Sequence, residues 1–249
     1  MVVACLCLLV SHYEVVLLAA APTLDSYAES VFTDTLTLET TGVLSWTNGN
    51  VVVCVGATED SGITLETPST GGLGLTFAAV TGSPANGASN TNVYQWSGTA
   101  SATSSGAITS VVSASNRAGI GCFSYSGSDG IGTYAEVEGC TTVTVVSLTR
   151  STANAAVVLV GGDWSAVSDT ATDPTPTGTQ RQGDDSCFVS TIYNCYINNY
   201  GDQGATGTTD YGIAAFAGGG DFTMSALEIK GTGAAAVTPT LSLLGGGPG

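Results

Sequence analysis

The sequence predicts an all-β protein, an antiparallel β-sandwich with few or no helices, on three observations. From Asp34 onward, short β-rich runs alternate with Gly, Ser, Asn, Asp and Pro punctuation at the spacing of sandwich strands. No window of about 11 to 18 residues carries a 3.6-residue apolar period, and Thr, Val and Ser at this density lose side-chain freedom in a helix. Asn48-Gly49, between Trp46 and Val51, is a hairpin signal. Both central positions of a type I′ turn need positive φ, and Asn-Gly supplies it at little cost.

In chain order, residues 1–30 read as an apolar leader or an inter-subunit arm. The stretch 1–21, MVVACLCLLVSHYEVVLLAAA, ends in small residues that suit a signal peptidase, yet it lacks the basic start of a secretory signal. Ser11-His12-Tyr13-Glu14 splits it into pieces too short to span a bilayer. An atypical signal, an early buried strand pair and an arm packed on a neighbouring subunit are the three readings.

Residues 31–232 form the predicted β-sandwich domain, with strands expected at 34–40, 51–56, 63–66, 73–80, 92–97, 107–113 and 119–124. Further strands are expected at 134–138, 141–148, 155–160, 188–197, 212–216 and 223–230. Leu36 and Leu38 alternate with polar neighbours, so the first strand has one face on the core. The run 155–160 is apolar throughout and reads as a central strand covered on both faces. Ser128-Asp129-Gly130 gives a second turn signal, and Pro174 and Pro176 mark an extended loop, because proline cannot donate to a central ladder. Residues 233–249 are a Gly-rich C-terminal tail.

Charged residues are only 10% of the 249, against about 25% in ordinary globular chains, so the surface must be made of hydroxyls, amides and backbone. Four basic residues, Arg117, Arg150, Arg181 and Lys230, face 20 acidic ones, for a formal charge of −16. Direct nucleic-acid binding needs clustered cations to displace counterions and is disfavoured, as is an anionic membrane.

Seven cysteines with no CxxC pair exclude a zinc ribbon or a thioredoxin motif. Cys122 and Cys140 flank the Gly-rich run 126–132 and are a candidate disulfide across a hairpin, the alternative being small buried apolar residues. Cys187 and Cys195 would lie about 26 Å apart in one unbroken strand and pair only if a turn separates them. Cys5 and Cys7 are candidate inter-chain thiols.

The only histidine is His12, which leaves the body of the chain without the base that Ser-His-Asp or Cys-His catalysis requires. Glu136 and Glu138 would share one sheet face, the arrangement a two-carboxylate glycosidase needs, but a solvated strand face is the stronger reading. No cofactor is implied. A structural calcium held by Asp169, Asp173, Asp184, Asp185 and Asp202 is the one ion considered, without EF-hand spacing. Gly218-Gly219-Gly220 lacks the context of a phosphate loop. Trp46, Trp96 and Trp164 are the expected large core fillers. Against that stands ligand stacking by Trp46, Trp96, Tyr193, Tyr196 or Tyr200 on a glycan.

Several stretches together, VVVCVGATEDSGITLETPSTGGLGLTF, VYQWSGTASATSSG, FSYSGSDGIGTYAEVEG, NAAVVLVGGDWSAV and SALEIKGT, resemble β-sandwich structural proteins of tailed-bacteriophage virions, of the minor tail or head-decoration type. The resemblance covers about residues 31–232 and carries no catalytic residues; the leader and the cysteine number depart from it. It implies a jelly-roll-like sandwich, copies arranged symmetrically on a particle, and partners among other virion proteins. The expectation is therefore a non-enzymatic structural protein at the virion surface or outside the cell. A secreted carbohydrate-binding module and a bacterial surface-appendage subunit are the alternatives.

Overall fold

The structure is a computed structural model that describes residues 20–30, 33–58, 60–86, 91–140, 145–163, 174–175, 179–180, 188–189, 194–213 and 221–232. Among these residues every regular element is a strand. The first nine are β1 (Thr23–Glu29), β2 (Thr33–Glu39), β3 (Leu44–Trp46), β4 (Val51–Thr58), β5 (Ala78–Ala79), β6 (Ala85–Asn86), β7 (Asn92–Thr99), β8 (Ser104–Gly106) and β9 (Thr109–Ser126). They are followed by β10 (Ser128–Cys140), β11 (Val145–Arg150), β12 (Ala156–Asp163), β13 (Pro174–Thr175), β14 (Thr179–Gln180), β15 (Phe188–Val189), β16 (Asn194–Tyr200), β17 (Gly207–Ile213) and β18 (Asp221–Gly231).

All pairings are antiparallel. A seven-stranded sheet runs β1-β9-β4-β7-β5, with β2 also on β9 and β6 on β7. A six-stranded sheet runs β10-β18-β12-β16-β14, with β15 on β16; β11-β17-β13 and β3-β8 form smaller sheets. The sequence of β4, VVVCVGAT, is buried at every position, which an antiparallel strand tolerates only when both faces are covered. Val55 lies opposite Gln95, whose Nε2 donates to Ser225 O (3.0 Å) and Ser225 Oγ (2.9 Å) on β18, so this face meets the six-stranded sheet. On the other face, Cys54 lies opposite Trp96 and Gly56 opposite Tyr94, whose hydroxyl donates to Ile63 O. This side meets the chain around Leu65, whose side chain lies against Gly56, and Leu38, Leu44, Trp46, Ile108 and Val112 belong to the same buried cluster.

The expected central strand at 155–160 is β12, and its alternation explains the remaining layer. Ala156, Val158 and Val160 belong to the core shared with the seven-stranded sheet. Val157 and Leu159 face the opposite way, into a second core with Val146, Leu148, Tyr200, Tyr211 and Met224. Polar groups bridge the two large sheets: besides Gln95, Thr91 bonds Thr223, and Tyr125 donates its hydroxyl to Asn199 Oδ1. Each is buried, and these bonds offset the cost of burying the groups that make them.

Several expectations are corrected. The sheet begins ahead of residue 31, because β1 pairs with β9 from Thr23↔Ser126 to Glu29↔Gly121 and Tyr27 packs on Phe123 with ring centroids 4.7 Å apart. The runs 107–113 and 119–124 are one strand, β9, with a register irregularity where Leu36 of β2 faces the stretch between Val111 and Asn116. The segments 63–66 and 73–80 are mostly irregular, with an isolated bridge Leu65↔Val112 and the short β5, since Pro68 and the positive-φ glycines Gly71, Gly72 and Gly74 interrupt regular pairing. Asn48-Gly49 turns the chain but makes no hairpin. Only Gly49 of the pair takes positive φ (89°), and β3 and β4 diverge to different sheets. The second turn falls at Gly127 (φ 64°), one residue before the predicted Ser128-Asp129-Gly130, and it too connects different sheets. Residues 1–19 and 233–249 lie outside the described residues.

Candidate functional site

Among the described residues, an open groove of about 1010 Å³ lies beside the Asn48-Gly49 turn. The turn is closed by Asn50 N donating to Thr47 O (3.0 Å), and it is tied to the next loop by Gly49 N on Ala100 O (2.8 Å) and Asn48 N on Thr103 Oγ1 (3.0 Å). Ser45–Asn50 and Thr103–Ser105 therefore form one continuous side of the groove, with Ser45 paired to Ser105 and Trp46 to Ser104. Asp25, Ser126 and Gly127 complete the lining.

Asp25 reaches the groove because the β1–β9 register is irregular between Leu24 and Ser26, opposite Tyr125 and Ser124. Such an irregularity re-aims a side chain that would otherwise follow the pleat. Its carboxylate accepts one hydrogen bond per oxygen, from Asn50 Nδ2 (2.9 Å) and Ser126 Oγ (2.8 Å). Asn50 is buried and spends its second amide hydrogen on Ser124 Oγ (2.9 Å), so the carboxylate is fixed from beneath by groups that are themselves fixed.

A second polar cluster holds Glu228 of β18, which is fully buried. Its carboxylate accepts the backbone N–H of Thr133 (3.0 Å), Ser151 (3.0 Å) and Thr152 (2.8 Å), and the hydroxyls of Thr133, Ser151 and Thr152. Burial pushes the carboxyl pKa upward, but the backbone donors of Ser151, Thr133 and Thr152 outweigh it and hold it down to about 2. Gly132 makes the approach feasible, because a Cβ there would lie 2.1 Å from Glu228 Oε2. With its oxygens occupied by the fold, Glu228 ties β10, β11 and β18 together and offers nothing to a ligand.

The remaining predicted residues are dispersed. Trp46, Trp96 and Tyr200 are buried at 2%, 3% and 0% exposure, which withdraws all three as stacking platforms: Trp96 stacks on Tyr94 with centroids 5.3 Å apart, and Tyr200 meets Tyr211 edge-on at 5.1 Å. Tyr196 and Cys195 lie on β16, and their side chains, like that of Cys140, are not among the described ones. Tyr193, Trp164, His12, Cys5, Cys7, Cys187, Asp169, Asp173, Asp184 and Asp185 lie outside the described residues. Asp202 accepts Gly204 N (3.0 Å) within its own loop. Glu136 and Glu138 are exposed on one face of β10, and Tyr134 donates to Glu136 Oε2 (2.8 Å). Among the described residues, no three His, Cys, Asp or Glu side chains gather as a metal site.

Cys122 is bonded to Cys54 and not to Cys140. The expected hairpin does not exist, since β9 and β10 enter different sheets, whereas Cys54 and Cys122 are register partners on β4 and β9. Sequence reasoning also missed Asp25, Asn50, Ser124 and Ser126. The Asn48-Gly49 turn signal marked their neighbourhood, but their convergence depends on strand register.

Compared with known proteins, the chain matches no protein-family model, no curated protein and no solved structure.

Proposed function

We propose that this chain is a non-enzymatic structural protein of a phage particle, a head-decoration, neck or minor tail component that packs against copies of itself and other virion proteins. The observation that carries the assembly reading is the placement of the exposed large apolar side chains. Among the described residues these are Leu36 (55% exposed), Val43 (62%), Leu73 (40%) and Val111 (43%). Leu36 lies on β2 beside the stretch of β9 that carries Val111, while Val43 lies just before β3 and Leu73 lies against Gly106 of β8, the partner strand of β3. Exposed large apolar side chains on neighbouring strands suit a surface buried in an assembly. The buried Cys54–Cys122 disulfide supports a place at a virion surface or outside the cell, where such bonds persist. The assignment to a phage rests on the sequence resemblance.

Mass spectrometry of purified particles tests the reading: it requires this chain to be present at a stoichiometry matching a symmetric site. A chain found only as a dispersed monomer and absent from particles would end it. A Leu36→Ser, Val111→Ser double variant should fold normally and fail to incorporate.

The carbohydrate-binding alternative loses Trp46, Trp96 and Tyr200 as platforms. It retains one physical support, the groove at Asp25.

A further inference from the structure

The Asp25 groove is concave, polar and braced. We propose that it is a binding site for a neutral saccharide, with Asp25 accepting hydrogen bonds from sugar hydroxyls. Each carboxylate oxygen has about two acceptor positions and uses one on Ser126 Oγ or Asn50 Nδ2, which leaves acceptor capacity on both oxygens. Asp25 is exposed, so that capacity is available to a ligand, while its orientation is set by Asn50 (4% exposed) and, through it, Ser124 (0%). A functional group locked by buried partners on strands is the arrangement that lowers the ordering cost of binding.

The lining selects the ligand class. Asn48, Thr47, Ser45, Thr103, Ser104 and Ser105 present amide and hydroxyl groups that both donate and accept, which matches the dual character of sugar hydroxyls. Among the described residues no cation lines the groove, and Asp25 together with the formal charge of −16 disfavours phosphorylated, sulfated or nucleic-acid ligands. Trp46 forms part of the lining, and its buried indole Nε1 has no hydrogen-bond partner, a donor left unused by the fold. A volume of about 1010 Å³ in an open groove has room for a short oligosaccharide. A purely structural role would make the same residues a polar cap on the end of the sandwich.

The two roles separate experimentally. The full chain is applied to an array of neutral oligosaccharides built from glucose, galactose, mannose and N-acetylhexosamine, and hits are titrated by calorimetry. Binding of at least one of them is expected, weakened at least tenfold by Asp25→Ala and by Ser105→Trp, which obstructs the exposed rim without removing a bond of the braced network. Ser105→Trp should leave the thermal midpoint unchanged. An array without a hit, or hits that bind both variants as tightly as the unaltered chain, would overturn the proposal. Either result is independent of whether the protein is found in particles.

Discussion

Cys54 and Cys122 face each other across β4 and β9 with their Cα atoms 4.1 Å apart and their sulfurs bonded, both fully buried and beside Trp96. The bond closes a loop of 68 residues. Loop-closure entropy for that length corresponds to about 4 kcal/mol. The Cys54→Ala, Cys122→Ala variant should therefore lose up to about 4 kcal/mol in urea unfolding. Reduction should also raise Trp96 fluorescence, because a disulfide quenches a neighbouring indole.

Glu228 predicts an acid limb in the stability curve. Its carboxyl pKa is lowered from 4.5 to about 2 in the folded chain, so its contribution is fully present above pH 4.5 and is lost as the pH falls from there through about 2. The size is about 3 kcal/mol at most. Glu228→Gln should flatten this limb and cost about 2–4 kcal/mol at neutral pH, because an amide nitrogen cannot accept from the donors of Ser151 and Thr152. Urea midpoints measured from pH 7 down to pH 3 check both outcomes.

Gly132 and Gly201 offer a matched comparison. A Cβ on Gly132 would collide with the Glu228 carboxylate, whereas one on Gly201 meets nothing within 4 Å. Gly132→Ala should destabilise by about 2–4 kcal/mol and shift the acid limb, since it displaces the carboxylate. Gly201→Ala should stay within about 0.5 kcal/mol of the original. Thermal scans at pH 7 and pH 4 distinguish the two.

Trp96 is a core residue by its 3% exposure and its stack on Tyr94. Trp96→Ala should cost about 3–5 kcal/mol. A surface platform would show almost no such loss, so one denaturation curve separates the two roles.

How much of this was legible depends on how far the deciding contact lies along the chain. β4 and β12 are visible from local pattern, because their unbroken apolar runs reflect two-sided burial directly. The Leu36–Leu38 alternation marks β2 as a strand but misplaces one residue: Leu38 is buried, whereas the register irregularity between Thr35 and Thr37 leaves Leu36 exposed and off the core. β1 was not visible: Thr23–Glu29 has only Leu24, Tyr27 and Ala28 to mark it, and its irregular register blurs the alternation. The Cys122 partner was mistaken because sequence proximity favoured Cys140, while register brings in Cys54. The same holds at the groove. Asn48-Gly49 was readable as a turn, but that Asp25 comes to lie beneath it follows only from which residue of β9 each residue of β1 meets.

Val157 and Val158 are neighbours in sequence that belong to different interiors, as are Val158 and Leu159. Melting either interior strips one side of the same β12 backbone and exposes the remaining side to solvent, so neither half has an independent route to disorder. The regions built around this strand should come apart in one concerted step.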